Sequence, residues 1–211
     1  FQTGEYKKAI NFFNSIIDSE EFNEWKKKEQ GELFNNRAMS FYYLGKYASA
    51  YEDLTKVISL FSSKSKDLNL YWTRAKCSYY SRKYSDAISD LDYVIKLNQD
   101  HYYYFYRSSS KKLLADSTPH HSFTRSNVLD VKDNISYIKN LYEDALRELD
   151  KVQKLIPKYK DTESLIQVAS SGFRELEELE KKRLAEIEEK KRQEKINSLV
   201  EKAKGYVKEK S

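Results

Sequence analysis

Glycine, proline, cysteine, methionine and histidine are all scarce in this 211-residue chain, with five, two, one, one and three copies. So few glycines and prolines exclude a strand-and-turn architecture and the Gly-rich phosphate loops of nucleotide enzymes, and they point to long helices with short connections. A lone cysteine, Cys77, excludes an internal disulfide framework and a cysteine zinc site. No apolar run is long enough to span a membrane. A strong charge of one sign is missing too. The net +5 arises from 38 basic and 33 acidic side chains without the clustering that phosphate neutralisation demands, so nucleic acid is not the expected partner.

What is present is 39% hydrophobic content, enough for a real core, with 34% charged residues left to solvent. The chain starts at Phe1 without an initiator methionine and reads as a fragment of a larger protein, cytoplasmic rather than secretory. Tyr-x-x-Ala recurs at Tyr6–Ala9, Tyr47–Ala50, Tyr84–Ala87 and Tyr142–Ala145. Large apolar residues follow each alanine four and seven positions on: Phe13 and Ile16, Leu54 and Val57, Leu91 and Val94, Leu149 and Val152. That spacing lines one helix face, and the small alanine admits a neighbouring helix. Ala38 and Ala75 lie 12 residues before Ala50 and Ala87, each preceded by an arginine. Two helical hairpins result, turning at Leu44-Gly45-Lys46 and Ser81-Arg82-Lys83. A hairpin cannot cover its own apolar face, so consecutive hairpins must stack.

These residues resemble the tetratricopeptide repeat family. Phe34, Ala38, Phe41, Gly45, Tyr47, Ala50 and Leu54 fill its pattern in one repeat, and Tyr71, Ala75, Tyr84, Ala87 and Leu91 in the next. Ala145, Leu149, Val152 and Pro157 fill the latter half of a third. Alanine replaces the family's helix-packing glycine, Ser78 stands where an aromatic is usual, and no proline closes the two central repeats. The resemblance implies an all-α, hairpin-stacked solenoid over residues 1–157, followed by a long charged helix over 158–211. Residues 1–5 read as the end of a severed first helix. The connection around Glu20–Gly31 is lengthened by an extra helical turn, and Ser62–Lys66 is a loop. The third repeat, with a first helix at His101–Leu114, is interrupted by an insertion at about 115–135, where His120 and His121 read as solvated side chains.

In the long helix, Leu165, Val168, Phe173, Leu176 and Leu179 form an apolar face, and Arg174–Lys195 carries eight acids and eight bases. Ion pairs at i,i+4 hold such a segment, and without a clean heptad a coiled coil is not favoured. Its 22 residues span about 33 Å, a spacer ahead of an amphipathic stretch at 196–211 that resembles the start of a further repeat.

In this family the first helix of each hairpin lines a groove that holds peptides or partner helices. Aligned on Ala38, Ala75 and Ser109, the expected groove residues are Asn35, Asn36, Met39 and Tyr43; Asn69, Trp72, Thr73, Lys76 and Tyr80; and Tyr103, Tyr106 and Arg107. Asparagines hold peptide groups, aromatics offer flat apolar contact, and Lys76 with Arg107 can meet a carboxylate. Asn36 matches the asparagine of the family's carboxylate clamp for heat-shock chaperone tails, but Asn69 and Thr73 replace its two cations, which argues against a clamp. The expected role is a non-enzymatic adaptor or scaffold for a protein partner, with no cofactor and no metal. A co-chaperone holding client or chaperone segments is the alternative. Catalysis would rest on scattered carboxylates such as Glu52, Asp53, Asp90 and Asp92, all read as exposed, with no nucleophile beside a positioned base. RNA binding by paired polar and aromatic side chains is a further class, opposed by the modest charge.

Overall fold

The structure is a computed structural model and describes residues 2–61, 67–118 and 128–208. Among these residues the only regular elements are helices: α1 (Gln2–Ile17), α2 (Lys27–Tyr43), α3 (Tyr47–Phe61), α4 (Leu68–Tyr80), α5 (Tyr84–Leu97), α6 (His101–Ser117), α7 (Val128–Leu155) and α8 (Thr162–Lys208), with a 3-10 turn at Glu20–Glu24. Each helix from α1 onward packs against the next in sequence, and α4 touches α6 as α6 touches α8. First helices of successive hairpins thus lie side by side, each backed by its own second helix. The chain is an all-α solenoid of stacked helical hairpins.

The alanine stripe explains the stacking. Ala50, Ala87 and Ala145 are fully buried at the helix crossings, as are Leu91, Leu149, Val94 and Val152, with Leu54 and Val57 nearly so. Ala38 and Ala75 oppose them from the first helices. Such close approach lets each hairpin seal the apolar face its neighbour leaves open.

Both central hairpins turn through the same hydrogen-bonded closure. Gly45 N–H donates to the Tyr42 carbonyl and Lys46 N–H to that of Phe41; Arg82 and Lys83 repeat this onto Tyr79 and Ser78. The pivotal residue takes a left-handed φ of 71° at Gly45 and 63° at Arg82. Glycine adopts that conformation freely, whereas a side chain raises its energy by about 1–2 kcal/mol. Arg82→Gly is therefore expected to stabilise the chain by about 0.5–1 kcal/mol, after allowing for glycine's freer unfolded state, as read by a urea midpoint. An unchanged or lower midpoint would show that the arginine side chain offsets its own backbone.

Several expectations need correction. α1 runs unbroken from Gln2 through Tyr6, so no severed helix ends before Tyr6. The lengthened connection holds the Glu20–Glu24 turn, whose Phe22 is buried, and breaks at an extended Trp25 before α2 starts. The insertion at 115–135 contracts from both sides: α6 continues to Ser117, α7 starts at Val128, and Ala115 and Ile135 belong to one core cluster. Residues 119–127, with His120 and His121, lie outside the described residues, as does the Ser62–Lys66 loop.

In α8, Phe173, Leu176 and Leu179 pack in the core as expected, while Ala169 takes the core position expected of Val168, which is half exposed. Gly172 gives room for the buried Tyr142, whose hydroxyl donates to Asp116 Oδ1 at 2.7 Å. α8 takes the packing place of a first helix directly from Thr162, and it continues unbroken to Lys208 without a hairpin turn near residue 196. Its 47 residues span about 70 Å. Ile196 lies 20 residues beyond Leu176, about 200° around the helix, so exposed Ile196, Leu199 and Val200 face away from the side packed on the repeats.

Candidate functional site: the face of α2, α4 and α6

Three arginines fix how this face is built. Arg37 grips Asp53 with Nε and Nη2, both at 2.7 Å, and Arg74 grips Asp90 at 2.8 and 2.6 Å. Arg107 reaches Glu148 through Nε at 3.2 Å and Nη2 at 2.8 Å. Each acid sits three residues after the buried alanine of its second helix. The remaining nitrogen of each guanidinium reaches back to the preceding hairpin: Arg37 to Asn14, Arg74 to Thr55 and Arg107 to Asp92. Each arginine also stacks over the aromatic three positions earlier, Phe34, Tyr71 and Tyr104. One side chain thus joins both helices of its hairpin and ties them to the hairpin before.

Asp53 and Asp90 are consequently buried, not exposed as the sequence suggested, because the i+3 position falls inside the apolar stripe. Burial pushes the Asp90 carboxyl upward against the opposing pull of Arg74. In the third hairpin Lys111 joins the pair, bonding Glu148 at 2.8 Å and Asp144 at 3.2 Å.

The same contacts reset the register of the third repeat. Arg107 corresponds to Arg37 and Arg74, so fully buried Ser108, not Ser109, stands where Ala38 and Ala75 do. Tyr103 then aligns with Leu33 and Leu70; it is buried and is a core residue, not part of a groove. Arg107 is committed to its ion pairs and is likewise removed from the groove. Phe105 takes their place beside Tyr106, which was already expected on this face.

The other expected residues gather into two adjoining regions. Asn35 and Met39 of α2 and Asn69 and Thr73 of α4 line an open pocket of about 680 Å³, together with Lys28, Glu32, Asp67, Val57, Leu70, Gly31 and Phe61. Asn36 is exposed and does not line the pocket. The pocket has a structural cause. Asn35 occupies the place that Trp72 holds one repeat later, where the indole fills the gap between α4 and α6 by packing on Tyr102, Tyr103 and Tyr106 at 5.6, 5.1 and 5.1 Å. A short amide in the first repeat leaves the matching space between α2 and α4 open.

Beside it runs an aromatic wall. Tyr6 stacks on Tyr43 at 5.0 Å and Tyr47 on Tyr80 at 4.7 Å, Tyr42 bridging the two pairs by edge contacts. Tyr80 meets Tyr106, and Phe105 carries the series to Tyr159. Tyr43 and Tyr80 keep 57% and 45% of their surface exposed. Lys76 lies over Tyr42 and Trp72 at 4.8 and 5.1 Å, and partial burial lowers its pKa. Lys160, from the turn before α8, lies over Tyr106 at 4.5 Å. Sequence reasoning missed Phe105 because the third repeat was aligned one residue late, and Tyr159 and Lys160 because the turn at 157–161 folds onto α6 from about 50 residues away.

Cys77 is fully buried and its thiol is pushed up to about 12 by burial. Among the described residues no group of three His, Cys, Asp or Glu side chains is placed to hold a metal, and no helix is long and apolar enough to cross a membrane.

No family model matches the chain, and no curated protein matches it. Among solved structures, two of MamA are similar in fold. One is 15% identical with a TM-score of 0.43, covering 87% of this chain and 94% of its own. The other is 14% identical with a TM-score of 0.45, covering 87% of each. Likenesses this loose say nothing about what the chain binds.

Proposed function

We propose that this chain is a non-enzymatic scaffold that holds a segment of a partner protein along the face of α2, α4 and α6, while α8 acts as a spacer for whatever adjoins it. The observation that carries this reading is the open pocket of about 680 Å³ between α2 and α4, continuous in the repeat pattern with a position that an indole fills one hairpin later. An apolar floor with a few amide and hydroxyl groups is the chemistry that holds extended backbone while packing its side chains. The exposed tyrosines extend that surface with rigid, amphipathic contacts that lose little entropy on binding.

The test uses the repeat itself. Asn35→Trp places in the first gap the side chain that already fills the second, so it is expected to block the pocket while leaving helicity and thermal midpoint unchanged. Peptides selected on the wild-type chain from a random display library should then lose at least about tenfold in affinity. Undiminished binding to a folded Asn35→Trp chain rejects the pocket as the binding place. The co-chaperone alternative predicts in addition that the chain suppresses aggregation of an unrelated unfolding protein, and absence of that activity leaves the scaffold reading alone.

A further inference from the structure

We infer that the segment held on this face is acidic, its carboxylates received by Lys160, Lys76 and the paired hydroxyls of Tyr80 and Tyr106. The inference rests on the groove reading above and names the chemistry of its occupant.

Charge complementarity is the first reason. The wall formed by Tyr43, Trp72, Lys76, Tyr80, Tyr106 and Lys160, of which Tyr43, Tyr80 and Lys160 are exposed, contains two cations and no acid. Neither ammonium has a carboxylate within salt-bridge distance among the described residues; each rests on aromatic faces instead. Elsewhere in the repeats a cation of comparable burial is paired: Arg37, Arg74, Arg107 and Lys111 each hold an acid. Lys76 is half-buried without that compensation, so an incoming carboxylate restores what the fold withholds.

Preorganisation is the second. Lys160 Nζ donates to Tyr106 Oη at 3.4 Å, and the Tyr106 and Tyr80 hydroxyls are 3.2 Å apart, so an ammonium and two hydroxyls converge on one spot. Lys160 is held there by a turn in which Lys158 and Lys160 both take left-handed φ values, 64° and 47°, a conformation that side chains rarely adopt. Thr162 Oγ1 donates to the Tyr159 carbonyl and locks the turn, while the Tyr159 ring packs on His101 and Phe105. Two hydroxyls and an ammonium suit a carboxylate. In the adjoining pocket Glu32 lies 3.9 Å from Lys28, and Asp67 accepts from the N–H groups of Asn69 and Leu70, so neither acid is aimed at the wall.

The probes are an octapeptide of alternating glutamate and leucine and its glutamine counterpart, titrated into the full chain carrying Trp25→Phe so that Trp72 reports binding. The glutamate peptide is expected to bind at least about tenfold more tightly, with a preference that shrinks as salt rises. Lys76→Met with Lys160→Met should erase the preference and leave the glutamine peptide's affinity and the helical signal unchanged. Equal affinity of the two peptides for the wild-type wall overturns the charge inference and leaves the groove reading standing. A preference that survives the double substitution overturns the lysine assignment. If neither peptide changes Trp72 emission, both readings fall, and tighter binding of oligouridylate than of the glutamate peptide overturns the acidic partner in favour of RNA.

Discussion

Replacing Asp90 with leucine is expected to destabilise the chain by about 3–5 kcal/mol, and adding Arg74→Leu in the same chain should recover most of that loss. Asp90 is 4% exposed and accepts two guanidinium hydrogen bonds of 2.8 and 2.6 Å. Removing it leaves a permanently charged Arg74, its side chain only 18% exposed, with two donors unpaired in a site water reaches poorly. The double variant removes both charges and fills the space with apolar atoms. The sign of the Asp90 shift supports the rescue. A carboxyl whose folded pKa lies above its unfolded value favours the fold most when protonated, below the unfolded pKa, and that contribution is lost as pH rises through the folded pKa. At neutral pH the ionised pair is therefore no large source of net stability, although breaking it is costly. Urea denaturation of the two single variants and the double variant decides the matter. A double variant as unstable as Asp90→Leu would mean that the fork, through the contact of Arg74 with Thr55, is required to set one hairpin against the next.

That contact also marks where sequence reasoning stopped. Alanine followed by large residues four and seven positions on was legible because helical period alone places those three on one face, and all nine such positions in α3, α5 and α7 are buried. The acid three positions after each alanine lies on that same face, yet it reads as exposed because its charge suggests solvent. Its signal was nevertheless present: Arg37 and Asp53, like Arg74 and Asp90, stand 16 residues apart. In the third hairpin the connection between α6 and α7 stretches the separation to 41, so only folding reunites Arg107 with Glu148. Without that anchor the third repeat was aligned one residue late. The error exchanged a core tyrosine, Tyr103, and a committed arginine, Arg107, for the wall residue Phe105. The pocket escaped for a different reason: it depends on the absence of a bulky side chain at Asn35, and a space between two hairpins has no one-dimensional trace.

The tyrosines impose a second large effect, at high pH. Tyr42, Tyr47, Tyr51, Tyr71, Tyr79, Tyr103, Tyr106 and Tyr142 all have pKa values raised chiefly by burial. Tyr80 is pushed up to about 12, first by its hydrogen bond with Tyr106. Groups of this kind stabilise the fold fully below their unfolded pKa near 10, and that stability is lost as pH rises through the folded values. Consider only Tyr103 and Tyr142, which are 2% and 6% exposed. A tyrosine that must stay protonated in the fold at pH 12, while its unfolded counterpart ionises, weighs against the fold by about 2.7 kcal/mol. Two of them reach about 5 kcal/mol, the lower end of a typical domain's stability. The chain is thus expected to unfold cooperatively between about pH 10 and 12, with tyrosinate absorbance and loss of helical circular dichroism rising together. Tyr142→Phe should shift that transition upward: it removes an ionisable group that donates to Asp116, at the cost of one hydrogen bond near neutral pH. Tyrosines that ionise gradually from pH 10 with helicity intact would contradict the buried placement of Tyr103 and Tyr142, since burial opposes a charge on either ring.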